Sequence, residues 1–425
     1  MTRPETSAGK RIAIIAHGHP DFSLGGAEIA AYNLYLAYRD HPEIESAVFL
    51  AAHRRPGEGP TNMITPRRPG EYLWSREMID WHMFKGFNRL QANQRFAAWL
   101  EMVRPDIVHV HHYAHMGIEM FDTIRKTCPD TQIILTLHEY QAICKNHGQM
   151  VKTGEGTRLC LRESLEDCHR CFPSLSREDF WLRKNFIQTH FSVIDGFVAP
   201  SDFLRQRYVD WGIPDDRITT IENGQILNAP TPHREAGPGG ARNRFGFFGQ
   251  LNPFKGIDVM LEALAITIEQ DAAPVQLEVH GANLEMQAPE FIEKILALRD
   301  KLLPTGRLQW HGPYEQENLA ARMRNIDWVV MPSIWWENSP MVIQEAYMHR
   351  RPVIASNIGG MAEKTATGTP ETHVEPRSPL ALAEAMTTLA ADTALWEENV
   401  ARIPPPLTNT DSAAAHLAWF GEMAR

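Results

Sequence analysis

The chain of 425 residues is too long for one ordinary hydrophobic core, so two domains are the first expectation. Its composition, 43% hydrophobic and 22% charged, is typical of a soluble globular protein, and a net charge of -10 argues against a nucleic-acid binder. No apolar run approaches the roughly 18 residues that span a bilayer, and the N-terminus lacks a signal-peptide pattern. We therefore expect a cytoplasmic protein.

Short apolar strands alternate with helical stretches along the chain, which indicates an α/β fold with mostly parallel sheets. The predicted strands form two series, at 11–17, 46–52, 106–112, 132–138 and 195–200, and then at 244–249, 275–281, 307–312, 327–333 and 352–356.

The Pro- and Gly-rich stretch 228–243 lies between the two series and is predicted to be the interdomain linker. The N-terminal domain then covers 1–227 and the C-terminal domain 244–410, and 411–425 forms a terminal helix that packs back on the N-terminal domain. Two doubly wound domains of this kind are expected to face each other across a cleft, with ligands beyond the carboxyl ends of the strands.

Gly25 and Gly26 lie at the turn between the first predicted strand and the first helix. Glycine at this place lets a ligand approach the backbone closely, although a tight turn that needs positive φ is the simpler explanation. The segment is not a GxGxxG fingerprint, which disfavours a nicotinamide cofactor.

The stretch from Arg54 to Arg95 carries arginines among Trp74, Trp81, Phe84 and Phe87. It is predicted to be an amphipathic helix packed on its own domain. The alternative is a surface that holds an anionic, lipid-linked acceptor at the inner face of the membrane.

Four cysteines lie in a polar insertion at about 140–175, with the spacing C-x15-C-x7-C-x2-C; they are Cys144, Cys160, Cys168 and Cys171. Four thiols with one close pair are able to bind a structural zinc ion. Free cysteines are the main alternative, and a cytoplasmic location disfavours disulfides.

The second domain opens with a strand that ends at Gly249 and a loop that contains Lys255. A lysine at the carboxyl end of a strand is well placed to neutralise a diphosphate. A solvated surface lysine is the alternative, and the glycine beside the strand end favours the ligand role.

Two glutamates, Glu337 and Glu345, flank the start of a predicted helix. Ser339 suits the N-cap and Pro340 the first helical position, and the free N–H groups from Met341 onward form a seat for an anion. A phosphate site between two hydroxyl acceptors suits a nucleotide-sugar.

These motifs occur in order: GGAE near the N-terminus, G-x5-KG after the linker, and Glu-x7-Glu followed by PVIAS and IGG. Together they resemble glycosyltransferase family 4, whose members are retaining enzymes of the GT-B fold. The resemblance extends from about residue 10 to about residue 390.

The resemblance implies a role for each matching residue. Glu337 is similar to the glutamate that contacts the donor sugar, and Glu345 to the one that binds the nucleotide ribose. Lys255 matches the diphosphate lysine, and His138 the histidine beside the donor sugar. Further donor-binding positions are implied at Gly25, Gly26, Asn223 with Gly224, Gly249, Asn338, Ser339, Pro340 and Met341.

Gln250 departs from the family pattern, because the family commonly has arginine at this position. A neutral amide cannot form the bidentate cationic clamp of arginine. Either Lys255 and backbone amides bind most of the diphosphate, or another cation such as Arg205 or Arg244 substitutes.

The resemblance implies transfer of a hexose from a UDP- or GDP-linked donor to a glycan, a lipid-linked acceptor or a small molecule. It implies no catalytic metal. A non-catalytic GT-B protein that binds a sugar nucleotide and a GT-B sugar-nucleotide epimerase are the alternatives.

Overall fold

A computed structural model of the protein describes residues 9–23, 25–53, 63–154, 156, 158–271 and 274–423. The chain divides into two compact units. The first consists of Met1–Ile226 together with Leu407–Arg425, and the second of Leu227–Pro406. Each unit is built around one large sheet flanked by helices.

The strands of the first unit are β1 (Lys10–Ala16), β2 (Ile44–His53), β3 (Ile64–Arg68), β4 (Glu71–Ser75), β5 (Met78–Asp80), β6 (Lys85–Gly86), β7 (Ile107–Val110), β8 (Gln132–Thr136), β9 (Gly196–Ala199) and β10 (Ile218–Thr220). Eight of them form one sheet in the order β10-β9-β8-β7-β1-β2-β4-β3, whereas β5 and β6 form a separate hairpin. The central strands are buried on both faces, as expected for a parallel sheet between layers of helices.

The helices of this unit that precede residue 226 are α1 (Gly26–Arg39), α2 (Arg89–Val103), α3 (Met120–Thr127), α4 (Leu165–Cys171), α5 (Arg177–Phe191) and α6 (Asp202–Trp211). Helix α5 begins with a reciprocal capping box, in which Ser176 accepts the N–H of Asp179 and the Asp179 carboxylate accepts the N–H of Ser176. Such a box fixes the start of the helix that carries Arg183.

The second unit contains β11 (Arg244–Gln250), β12 (Gln276–Ala282), β13 (Leu308–Gly312), β14 (Trp328–Met331), β15 (Val353–Ser356) and β16 (His373–Val374), in the order β13-β12-β11-β14-β15-β16. All its neighbouring strands pair in parallel. Its helices are α7 (Ile257–Glu269), α8 (Pro289–Leu302), α9 (Leu319–Met323), α10 (Met341–Met348), α11 (Gly359–Lys364), α12 (Pro379–Ala391) and α13 (Thr393–Arg402).

The last helix, α14 (Asn409–Met423), belongs to the first unit. Its residues Ala413, Leu417 and Phe420 join the core that β1 and α1 form. Gln132 of β8 also donates a hydrogen bond to the Phe420 carbonyl over 3.1 Å. The terminal helix therefore packs back on the N-terminal domain, as the sequence predicts.

The prediction of an amphipathic helix between Arg54 and Arg95 is wrong for the described part of that stretch, residues 63–95. Strands β3 to β6 occupy most of it, and a helix begins only at Arg89. Its arginines are also engaged within the unit: Arg76 is buried and bonds Glu119 over 2.5 Å, and Arg67 and Arg68 pair with Asp21. Among the described residues, no helix is both long and apolar enough to cross a membrane.

Candidate functional site

In the second unit, Lys255 and Glu337 come together at the carboxyl ends of the neighbouring strands β11 and β14. The Lys255 Nζ lies 2.6 Å from Glu337 Oε1, although 82 residues separate the two in sequence. The Ser333 hydroxyl donates to the same oxygen over 2.9 Å, and Glu337 is buried. Sequence reasoning did not identify Ser333, whose only signal is its place at the end of the β14 segment.

Two glycines make this arrangement possible. Gly256 has φ 69°, and a Cβ there would lie 2.0 Å from the Pro332 carbonyl oxygen. A Cβ on Gly360 would lie 1.9 Å from the Asn338 carbonyl oxygen, and the Gly360 N–H donates to the Glu337 carbonyl over 2.7 Å. The Lys-Gly and Gly-Gly motifs therefore hold the loop segments around Lys255 and Glu337 in close contact.

The predicted cap of helix α10 is wrong by one residue. Pro340 is the N-cap, with an extended backbone, and Met341 is the first helical residue. The Ser339 side chain caps nothing, and its buried hydroxyl has no hydrogen-bond partner among the described residues. An unused hydroxyl and the first N–H groups of α10 thus lie next to Glu337 and Asn338 in the chain, which suits a polar ligand.

Glu345 is buried inside helix α10. Its Oε1 accepts a hydrogen bond from Gln316 Nε2 over 3.0 Å, a partner that the sequence did not indicate. Burial raises the pKa of the Glu345 carboxyl, and the hydrogen bond from Gln316 opposes this rise only partly. This carboxyl is therefore fixed in place as a hydrogen-bonding group.

The loop after β11 leaves space beside Gln250. Gly249 has φ 138°, and a Cβ there would meet no atom within 4 Å. The Gln250 Oε1 accepts a 3.2 Å hydrogen bond from Asn252, and the side chain is exposed. Of the two predicted substitutes for the missing arginine, Arg244 lies at the opposite end of β11 and bonds Glu278. Arg205 belongs to the first unit and pairs with Asp215, and its role as a substitute stays a prediction.

In the first unit, His138 lies two residues beyond the end of β8 rather than in the strand. Its Nε2 lies 2.9 Å from His111 Nδ1, and the two rings stack at 5.2 Å. Desolvation lowers the pKa of His138 to about 3, so its imidazole is neutral at pH 7. His111, which the HVHH run could have suggested, thus shares one proton-mediated contact with the His138 ring and helps to fix its orientation.

Gly25 and Gly26 do not have positive φ, so the tight-turn explanation is wrong. Instead, a Cβ on Gly25 would lie 2.2 Å from Glu28 Oε2. Burial opposes ionisation of Glu28, but its contact with His17 at 3.2 Å and the 2.6 Å hydrogen bond from Ser23 outweigh it and lower the Glu28 pKa to about 2. Glu28 is a buried anion that sequence reasoning missed, although it is the last residue of the GGAE motif.

The Asn-Gly turn at 223–224 packs against the segment that leads into α14. A Cβ on Gly224 would lie 2.5 Å from the Thr408 carbonyl oxygen, and Asn409 N–H donates to the Gln225 carbonyl over 3.1 Å. Asn223 and Gly224 line a very small cavity of the first unit together with His111 and Asn409. Gly224 therefore has a structural reason to be glycine, and a donor-binding role for Asn223 stays a prediction.

The four cysteines of the insertion do not form a metal-ligand group as they stand. In the described part of the chain, one set of ligand atoms lies within 4.8 Å of one another, from Glu278, His280 and His311 on β12 and β13. All four thiols are free and partly buried, and burial raises the pKa of Cys168 to about 12. A zinc site at these cysteines therefore stays a prediction.

Two family models match the chain. The model described as Glycosyltransferase Family 4 matches residues 24–225, and the model described as Glycosyl transferases group 1 matches residues 242–392. Similar curated proteins include D-inositol 3-phosphate glycosyltransferases from Corynebacterium glutamicum, 28% identical over 42% of this chain, and from Streptomyces griseus subsp. griseus, 30% identical over 49% of this chain. Each alignment covers 44% of the relative, so the chain matches less than half of those proteins' length.

Solved structures share the fold at low sequence identity. The Anabaena protein HepE in complex with UDP matches with a TM-score of 0.67 and 15% identity, over 97% of this chain and 100% of that one. Sucrose-phosphate synthase from Thermosynechococcus elongatus matches with a TM-score of 0.70 and 17% identity, over 98% and 99% of the two chains. The predicted GT-B fold class is confirmed.

Proposed function

Because the chain belongs to the group 1 glycosyltransferases of glycosyltransferase family 4, we propose that it moves a hexose from a UDP- or GDP-sugar to an acceptor hydroxyl with retention of configuration. The 2.6 Å contact between Lys255 and Glu337 carries this proposal. A buried carboxylate held beside a cation offers a donor both a hydroxyl acceptor and a partner for its phosphates.

The donor is assigned to the second unit, residue by residue. Lys255, whose side chain remains 27% exposed, and the first N–H groups of α10 bind the diphosphate. Glu337 accepts hydroxyl groups of the sugar, with Asn338 and the unused Ser339 hydroxyl beside it in the chain. Gln316 occupies one oxygen of Glu345 and leaves the other for the ribose.

The transfer breaks the bond between the anomeric carbon and the diphosphate oxygen and forms a bond to the acceptor oxygen on the same face. The acceptor proton passes to a phosphate oxygen of the leaving group. Lys255 and the helix start stabilise the charge that develops on the diphosphate. His138 is neutral and therefore supplies a hydrogen bond to the sugar without adding a positive charge.

The acceptor is assigned to the first unit. The names of the curated relatives supply the first compound to assay, D-inositol 3-phosphate. A lipid-linked acceptor at the inner face of the membrane is the second, because Trp81 and Phe87 are exposed on this unit.

A donor panel followed by one substitution tests the proposal. We expect one of UDP-, GDP- and ADP-glucose to raise the melting temperature, because a ligand that binds the native state stabilises it. With that donor, nucleoside diphosphate should be released only when acceptor is present, and the anomeric coupling in the product's NMR spectrum should equal that of the donor. Glu337→Ala should lower turnover by about 10²–10³-fold.

Glu285→Ala is the matched control, because Glu285 is an exposed glutamate of the same unit. It should retain wild-type turnover. Donor binding without nucleotide release would support the non-catalytic alternative, and release of an epimerised nucleotide-sugar would support the epimerase. An inverted product, or normal turnover in Glu337→Ala, would contradict the mechanism.

A further inference from the structure

The first unit contains a cavity of about 360 Å³ that the donor site does not use. The turn between β5 and β6, the loop that follows His138 and the start of the cysteine-containing insertion surround it, together with Arg183 of α5. Its volume falls within the range of about 300–1,000 Å³ that is usual for small-molecule sites. We call it the Arg183 pocket, and the residues used below are Trp81, Phe84, Gln141, Lys145, Phe172 and Arg183.

Arg183 is 2% exposed, so its charge is almost completely removed from solvent. Its guanidinium donates to three backbone carbonyls, those of His82, Gln141 and Ala142. Among the residues that the structure describes, no aspartate or glutamate forms an ion pair with Arg183. Because an arginine has five N–H donors and a buried charge is normally paired, this cation lining a cavity favours an anionic ligand.

The two carboxyl groups that act on Arg183 electrostatically do not neutralise it. Burial raises the pKa of Glu139 to about 8, although the Gln141 N–H and Arg183 oppose this rise. Glu139 is therefore mostly uncharged at pH 7. Glu163 pairs with Lys184 over 3.3 Å, and burial raises its pKa as well.

Lys145 adds a second cation to the pocket. Its Nζ lies 4.7 Å from the centre of the Phe172 ring, and in the described part of the chain it has no ion-pair partner. The lining contains Lys145 and Arg183 but no aspartate or glutamate. In a chain of net charge -10, a pocket with this lining selects anions.

Aromatic side chains also line the pocket. Trp81 is 53% exposed and contacts the His115 ring edge-on at 4.8 Å, and Phe84 lies 5.5 Å from the Arg183 guanidinium. Phe84 has φ 54° and His147, also in the lining, has φ 50°, a conformation that residues other than glycine rarely adopt. Exposed rings beside amide and charged groups are suited to the apolar face and the polar rim of a sugar.

We propose that the Arg183 pocket binds an anionic sugar residue, phosphorylated or uronic, through Arg183 and Lys145, with its ring against Trp81. That this residue is part of the acceptor rests on the proposed function. The chain supports the link, because Gln141 follows His138 by three residues and the Glu139 carboxyl group accepts the Gln141 N–H.

Saturation-transfer NMR on the full chain without donor tests the pocket. The probes are glucose 6-phosphate, glucuronate and glucose, the last as the neutral match. We expect one or both anions to bind, at least tenfold more tightly than glucose and less tightly as salt is raised. Lys145→Glu should weaken anion binding at least tenfold, and Trp81→Ala should weaken the binding of both charged and neutral probes.

Lys126→Glu is the matched control, because it makes the same charge change at an exposed site of the same unit. It should bind the anions as wild type does, and Lys145→Arg should restore binding. If neither anion binds, or if both bind Lys145→Glu as tightly as wild type, the proposal that the pocket binds anions is wrong. If inorganic phosphate displaces the anionic sugars with the same affinity, the proposal that the pocket recognises a sugar is wrong.

Different outcomes would contradict the proposed function and the role of the Arg183 pocket. If the anions bind but no sugar is transferred, the pocket stands and the proposed function fails. If an anionic sugar is glycosylated and Lys145→Glu leaves its KM unchanged, the proposed function stands and the pocket's role as acceptor site fails.

Discussion

Arg183 of the first unit and Arg351 of the second have the lowest exposed fractions of the described arginines, and the two differ in their surroundings. Arg351 of the second unit is 0% exposed and makes five hydrogen bonds, to the carbonyls of Thr231, Pro232, Met323, Ile326 and His349. Arg183 of the first unit is 2% exposed and makes three. Arg351 is thus enclosed by backbone, whereas Arg183 lines a cavity.

The difference shows that burial of a cation does not by itself reveal a binding site. Arg351 fixes the start of the second unit to the loops after α9 and α10, so its charge serves the fold. Arg351 follows the end of α10 by three residues, and its guanidinium is fully buried against carbonyl groups.

The largest expected effect is a loss of stability when Arg351 or Arg183 is replaced. Arg351→Met leaves five buried carbonyls without their partner and should lower the free energy of unfolding by about 3–5 kcal/mol. Arg183→Met should cost about half as much, because water can enter the neighbouring cavity and bond the three carbonyls. Urea denaturation followed by far-UV circular dichroism measures both, and equal losses would remove the distinction between the two sites.

A smaller effect concerns Glu139, whose neutral state leaves Arg183 without an anionic partner. Burial raises its pKa in the folded protein to about 8, above the usual value of 4.5 for a glutamate. Between these values the unfolded carboxyl ionises and the folded one does not, so stability falls as pH rises toward 8. Glu139→Gln removes this loss. The free energy of unfolding of this variant, relative to that of wild type, should therefore be about 1–3 kcal/mol higher at pH 8 than at pH 4.5.

Melting temperatures of both proteins at pH 4.5, 6 and 8 measure this effect. The advantage of Glu139→Gln should grow with pH. Glu101→Gln, an exposed glutamate of the same unit, should show no such trend. A constant difference between Glu139→Gln and wild type would mean that Glu139 is ionised throughout and compensates Arg183.

The candidate site residues of the second unit could be predicted from the sequence more easily than the Arg183 pocket of the first unit, for a physical reason. The proposed donor residues Glu337, Asn338 and Glu345 lie within one strand-loop-helix segment, so their spacing alone suggested the chemistry that we propose. Ten predicted strands correspond to strands of the structure. Six short strands, β3, β4, β5, β6, β10 and β16, were missed, because a few residues of mixed polarity carry little periodic signal.

The Arg183 pocket could not be predicted from the sequence. Its residues come from five separate segments between Trp81 and Arg183, and none of these has a motif that would link it to the others. Likewise, nothing local indicates that Arg183 is buried while its helix neighbour Lys184 pairs with Glu163. Long-range packing decides both, which is why the same residue type serves the fold in one unit and lines a cavity in the other.

The smallest expected effect tests how cations are distributed at the donor site. Gln250 is exposed at the carboxyl end of β11, where the family commonly has arginine, and Arg244 lies at the opposite end of that strand. Gln250→Arg should therefore add a charge-assisted contact to the diphosphate and tighten nucleoside diphosphate binding by about three- to tenfold. Isothermal titration calorimetry with UDP and GDP measures it.

Gln309→Arg adds the same charge to an exposed residue of the same sheet and should leave nucleotide affinity unchanged. If both variants bind nucleotide equally more tightly, the gain is a general effect of charge rather than a contact at Gln250. If Gln250→Arg binds no better than wild type, Lys255 and the start of α10 already satisfy the diphosphate. The second unit would then need no further cation at this position.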